Sequence, residues 1–211
     1  MTRLERWSDA HRVAAVLGSA IATLVVLGAV FAWRSESVLS PFDLDGEQNV
    51  PALFSALLLF ICAVLAFPLP RSVASRAVAL TFSGVLVLAS LDEATEIHEK
   101  LERRLDVDWQ LLYLPVFVAV VVVWSLLVAG LRRNGLSLTL VLVSAGCWIA
   151  SQALEALQWE DEGPAPGYTW MMVVEETLEM TGSALLLVAL LVVIRAGRPN
   201  SVTGTGASAI A

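Results

Sequence analysis

Six runs of apolar residues, at about 13–33, 51–68, 75–97, 109–131, 136–158 and 168–194, take up most of the chain. A transmembrane helix needs about 20 mostly apolar residues, and each run reaches or approaches that length once its acids are allowed. Nothing else constrains the fold as much. In hydrocarbon every backbone N–H and C=O must be bonded within its own segment or a closed barrel, so runs of this length fold as helices. Composition agrees. The chain is 57% hydrophobic and 16% charged, with a mean hydropathy of +0.76, whereas soluble domains are about 45–50% apolar and about 25% charged. The sequence predicts an all-α polytopic membrane protein. A six-helix transmembrane bundle spans 1–198, and a small, polar, disordered tail follows over 199–211. The first run is too long for the apolar part of a signal peptide and is read as a retained helix.

Lysine and arginine set the orientation. Arg3, Arg6 and Arg12 precede the first run. Arg71 and Arg76 lie between the second and third, Arg132 and Arg133 between the fourth and fifth, and Arg195 and Arg198 at the end of the last. These segments alternate to one face, with only Glu5 and Asp9 as acids. Both termini are therefore expected in the cytoplasm of a bacterial inner membrane. Trp33, Trp109, Trp159 and Trp170 fall at the opposite, extracytoplasmic ends, as an interfacial aromatic belt would.

The exception to this apolar pattern is SLDEATEIHEK, from Ser90 to Lys100, matched by EETLE from Glu175 to Glu179. An ionisable residue inside a span is costly, which marks it as a functional-site candidate. At 1.5 Å per residue, Asp92 lies about 24 Å from Arg76 and Glu96 about 30 Å. Glu179 and Glu175 lie about 24 and 30 Å from Arg195, and Glu155 about 28 Å from Leu136. Three helices thus bring their acids to one level, near the outer surface. The faces agree as well. Asp92, Glu93, Glu96 and Glu99 fall within about 120° of arc, and Glu175, Glu176 and Glu179 within about 100°. Gln152 shares a face with Glu155. His98 is the misfit. In an unbroken helix it points about 160° away from Glu96, so it joins the site only if the helix ends near Ile97.

So many carboxylates cannot all be bare anions; protons or cations must neutralise them. Oxygen-rich sets suit Mg²⁺, Ca²⁺ or Mn²⁺, and carboxylate with histidine also suits iron and zinc. The expected metal set is Asp92, Glu93, Glu96, His98, Glu99, Glu155, Glu175, Glu176 and Glu179. Glu96, Glu155 and Glu176 are the candidates for general acid or base. A di-iron bundle site with paired Glu-x-x-His is not present, nor is the zinc-peptidase HExxH. Neither haem nor nucleotide is expected, since no phosphate-binding glycine loop occurs. The net charge of −7, without a basic stripe, excludes nucleic acid as a partner. Cys62 and Cys147 read as small apolar residues.

Plainer alternatives stand beside this. Glu99, Lys100, Glu102 and Arg103 suit a solvated, charge-paired surface helix. Asp43, Asp45, Glu47, Glu160, Asp161 and Glu162 suit loops.

The segments SLDEATEIHEKL and EETLEMTGSALLL resemble a group of uncharacterised bacterial multi-pass membrane proteins carrying LDE…IHE and EE-x-LEM-x-G segments. The resemblance covers most of helices three to six and implies no activity. CaaX-type intramembrane proteases fit less well, since Glu175-Glu176 lacks their following arginine and no later histidine exists. Ceramidase-like and adiponectin-receptor-like hydrolases need more histidines.

The leading expectation is an outer-leaflet, carboxylate-rich site for a divalent metal in a membrane protein, extending to an enzyme acting on a lipid or lipid-linked substrate. A cation or proton transporter, a metal-free acid-catalysed isoprenoid cyclase and a structural or sensory subunit remain as alternatives. For the cyclase, Trp148, Trp170 and Phe117 would steady a carbocation. The bilayer is the expected partner, and a homo-oligomer is left open.

Overall fold

A computed structural model describes residues 3–34, 41–44, 46, 48–160 and 163–197; the side chains of 3–8, 32–34, 159 and 160 lie outside that description. The expected tail, the acids Glu5, Asp45, Glu47, Glu160, Asp161 and Glu162, the arginines Arg3, Arg6 and Arg198, and the rings of Trp33 and Trp159 fall outside the described residues or side chains.

Among the described residues eight helices form in order: α1 Arg3–Arg34, α2 Val50–Ala66, α3 Arg76–Thr95, α4 Ile97–Leu105, α5 Trp109–Leu112, α6 Leu114–Leu131, α7 Gly135–Glu155 and α8 Tyr168–Gly197. Two short antiparallel strands, β1 Trp159–Glu160 and β2 Gly163–Pro164, join α7 to α8. Caps set several boundaries. Asn49 accepts the Ala52 N–H ahead of Pro51 at the start of α2, and Ser75 accepts the Val78 N–H at the start of α3. Asn134 caps α7 through Ser137 N–H.

Among the described residues five helical segments, in α1, α3, α6, α7 and α8, are long and apolar enough to cross a membrane. The helices depart from the expected runs in four places. The second is a 17-residue helix, shorter than the rest. The third does not run to 97 but ends at Thr95, because Glu96 takes a left-handed conformation with φ 54°. The fourth does not start at Trp109 as one piece. α5 closes at Tyr113, and α6 begins afresh with Pro115 in its first turn, where the missing N–H costs nothing. The fifth run is helical, as α7, only to Glu155, short of 158.

Helix α8 sits at the centre. Of its apolar window 56% is buried, against 17–22% for the other four long helices. It packs on α7, α2 and α1; α2 packs on α3, α3 on α6 and α6 on α7. The contacts therefore close a ring α8–α2–α3–α6–α7, with α1 against the outside of α8. Small residues and hydroxyls bring the helices close. Ser83 Oγ donates to Ala63 O and Ser90 Oγ to Ala56 O, locking α2 to α3. Ser144 Oγ donates to Gly182 O at 2.7 Å, locking α7 to α8. The core includes Leu59, Cys62, Phe82, Leu127, Val141, Met180 and Leu190. The outward faces carry exposed Val118, Val121, Val122 and Ile149, as lipid-facing helices do.

Candidate functional site

The break after α3 organises the acid end. Asp92 lies in the last turn of α3, and its backbone O accepts the Glu96 N–H at 2.8 Å. Thr95 Oγ1 bonds back to Leu91 O at 2.6 Å, a local competitor of the helical ladder. The chain then turns through Glu96 and restarts. Asp92 reaches across the break and caps the new helix: Oδ1 accepts the His98 backbone N–H at 2.9 Å. A carboxylate at a helix N-terminus also meets the positive end of its dipole. Oδ2 of the same carboxyl lies 3.0 Å from His98 Nδ1. With Asp92 ionised, the His98 ring proton belongs on Nδ1, which leaves Nε2 as an acceptor; that atom has no partner among the described residues.

Tyr113, at the α5–α6 junction, donates its hydroxyl to Asp92 Oδ1 at 2.9 Å. The Trp109 ring packs on His98 with centroids 5.0 Å apart, and on Tyr113 and Phe117 at 5.8 and 5.9 Å. The imidazole is thus held from two sides. Burial works against its charged form, but the Asp92 hydrogen bond and charge, helped by Glu155 and Glu99, outweigh it and raise the His98 pKa. Burial, then the Asp92 hydrogen bond and charge, push the Tyr113 phenol up, so it stays a donor.

The opposite wall comes from α7 and α8. Ser151 Oγ donates to Glu179 Oε1 at 2.7 Å, and Gln152 Nε2 to Glu155 Oε2 at 2.9 Å. Gln158 donates to Glu175 from a buried position. Glu93 projects between the walls. The charges of Glu179, Asp92 and Glu175 act on it, and it makes no hydrogen bond among the described residues. Glu155 and Glu179 in turn feel His98. Five carboxyl groups, Asp92, Glu93, Glu155, Glu175 and Glu179, thus share one end with a single imidazole.

The remaining expected site residues are placed differently. Glu96 faces outward, accepting from Gln48 Nε2 at 2.9 Å and lying 3.7 Å from Arg103. Glu99 pairs with Arg103 at 2.7 Å on the surface. Such exposed pairs contribute little energy. Glu176 is partly buried on α8. Trp170 is 71% exposed. A groove of about 300 Å³ between α1 and α8, lined by Ala14, Gly18, Ala22, Thr177 and Thr181, is apolar. Thr177 stands about 160° around α8 from Glu175 and Glu179, so the groove and the acids occupy different sides of the helix.

Oxygen donors with one free imidazole nitrogen fit the chemistry of a divalent cation site. Among the described residues, however, no three His, Cys, Asp or Glu side chains converge tightly enough to hold an ion as they stand. Sequence reading missed Tyr113, Ser151, Gln158, Gln48 and Trp109 as members of this end. One signal was available for α7: Ser137, Ser144, Ser151 and Gln158 recur every seven residues, and all four are buried.

Membrane-length helices closed round a set of hydrogen-bonded acids at one end define a helical protein of membrane type with a polar site. The chain belongs to the family described as a domain of unknown function (DUF8692), which matches residues 13–194. No curated protein and no solved structure matches the chain.

Proposed function

We propose that this is a six-span membrane protein with both termini in the cytoplasm, and that its extracytoplasmic end is a divalent-cation site acting on a lipid or lipid-linked substrate. The observation that carries the reading is the helix break at Glu96. It converts His98 from an outward residue into one oriented by Asp92 and Tyr113, opposite Glu155 and Glu179. A carboxylate–histidine pair of this kind fixes the ring tautomer and raises the basicity of the free nitrogen, whether that nitrogen takes a proton or a metal. Glu93 supplies the unheld carboxylate between the two walls. A bound divalent ion would polarise a phosphoryl or carbonyl oxygen. His98, Glu93, Glu155 and Glu179 are the groups available to hold the ion and move a proton, and Asp92 and Tyr113 the groups that hold His98. Six spans require α2 to cross, and its 17 residues sit at the short end of the workable range of about 17–25. The one-sided position of the acids supports binding or catalysis over conduction.

Elemental analysis of protein purified without chelator tests the reading. Stoichiometric divalent metal is expected in the native chain, and loss of it in a Glu93→Gln/Glu179→Gln variant. Native protein free of metal, which also takes up none on titration with Mg²⁺, Mn²⁺ and Zn²⁺, would overturn it.

A further inference from the structure

The segment from α4 to α5 lies outside the membrane-length helices, yet it exposes large apolar side chains. Leu105, Val107 and Leu111 are 55%, 39% and 65% exposed. Its position is constrained at both ends, because α3 leads into it and α6 leads out, and both are long apolar helices. It therefore lies where those helices leave the hydrocarbon. Around α4, Ile97, Leu101 and Leu105 fall within about 80° of arc, with Arg104 about 20° beyond Ile97 and Lys100 about 60° beyond it. Glu99 and Arg103 occupy the opposite pole and pair with each other. Arg104 is exposed and makes no ion pair among the described residues.

We propose that α4 and α5 lie in the headgroup layer, with Leu105, Val107 and Leu111 inserted toward the acyl chains and Arg104 bound to the phosphate of a bilayer phospholipid. A short helix with an apolar face flanked by basic residues binds an interface in this way, and a guanidinium is suited to phosphate. Lys100 Nζ is held by Thr95 O and lies 3.9 Å from Glu96, which leaves Arg104 to meet the phosphate. The nearby acids Glu96, Glu99, Glu102, Asp106 and Asp108 leave the segment with no net attraction for anionic membranes, so the phosphodiester common to all phospholipids is the ligand. His98 stands on the other flank of α4.

The test uses the full chain with Cys62 and Cys147 replaced by Ala, reconstituted in phosphatidylcholine nanodiscs with and without added phosphatidylglycerol. Spin labels are placed singly at Leu105→Cys, Leu111→Cys and Arg103→Cys. The ratio of collision with oxygen to collision with a water-soluble nickel chelate should be several-fold higher at 105 and 111 than at 103, in both lipid mixtures. Arg104→Glu should lower the ratio at 105 by at least twofold. Equal ratios at all three sites would overturn the proposal. So would labels at 105 and 111 shielded from both reagents, as a second protein chain covering the leucines would produce. No effect of Arg104→Glu would remove the phosphate contact.

Discussion

Asp92 is the residue on which most of the site's order depends. Its two oxygens serve a backbone amide, an imidazole and a phenol at 2.9–3.0 Å. Removing the charge should therefore be felt first at His98. In metal-free protein, Asp92→Asn is expected to lower the His98 pKa, followed by NMR titration of the ring. The folded value lies above the unfolded value of about 6.5, so the protonated imidazole contributes stability below that pH. The contribution is lost as pH rises through the folded value. Unfolding measured across this window should slope downward with pH in the native chain and run flatter in Asp92→Asn. An unchanged slope would mean that the pair does not form. Tyr113→Phe removes one hydrogen bond to a charged acceptor, and a cost of about 1–2 kcal/mol is expected from denaturant titration in detergent. It should also raise the His98 pKa slightly, since Asp92 then has one fewer donor to satisfy it.

At the scale of elements, the break between α3 and α4 and the seam between α7 and α8 matter most. A left-handed conformation costs a non-glycine residue about 1–2 kcal/mol, and Glu96 adopts it with φ 54° and ψ 46°. Glu96→Gly should relieve that cost and offset the loss of the exposed contacts to Gln48 and Arg103, leaving stability within about 1 kcal/mol of native. Glu96→Ala loses the same contacts without relief and should be less stable than the glycine variant. If the alanine variant were the more stable one, the break would not be the conformation that the protein holds. The seam works through small side chains. Ser137, Ser144, Ser151 and Gln158 recur at seven-residue spacing toward α8, where Ser144 bonds to Gly182 O and Ser151 to Glu179. A seven-residue repeat keeps one face in register with a partner helix. Glycines show where closeness is required. A Cβ on Gly130 would come 1.8 Å from Val73 O, a backbone atom, whereas one on Gly18 would meet nothing within 4 Å. Gly130→Ala should destabilise by about 1–3 kcal/mol, and Gly18→Ala should be neutral or slightly stabilising, as compared by thermal unfolding in one detergent.

For the whole molecule, the closed ring of α8, α2, α3, α6 and α7 gathers polar side chains from α3, α7 and α8 at one end. If that end is extracytoplasmic, a membrane-impermeant thiol reagent applied to intact cells should label Gln110→Cys and spare Arg133→Cys, with the pattern reversed in inverted vesicles. Labelling of both from one side would mean that α6 does not cross, and would reject the six-span topology.

Much of this was legible in the sequence. The helical class follows from apolar length, because hydrocarbon leaves the backbone no other partners. The level of the acids follows from counting along helices of fixed rise, since Asp92, Glu155, Glu175 and Glu179 lie at matched distances from the opposite ends of their runs. Their helical faces were legible for the same reason. Chain order could not supply what depends on contacts between distant residues. Thr95–Glu96 has no glycine or proline to announce a break, and the break is held by Asp92, His98 and Tyr113, residues up to 21 apart in sequence. Spacing marked Glu99 and Arg103 as a surface pair, but it could not place Glu96 on that outer rim, apart from an inner group around Glu93. That division depends on which way the chain turns after Thr95. The sequence by itself determined the helical class and the end at which the acids collect, because both follow from local periodicity and rise. Only the tertiary structure decided that His98 belongs with them, because its direction is set by a carboxylate six residues away and by the Trp109 ring on another helix.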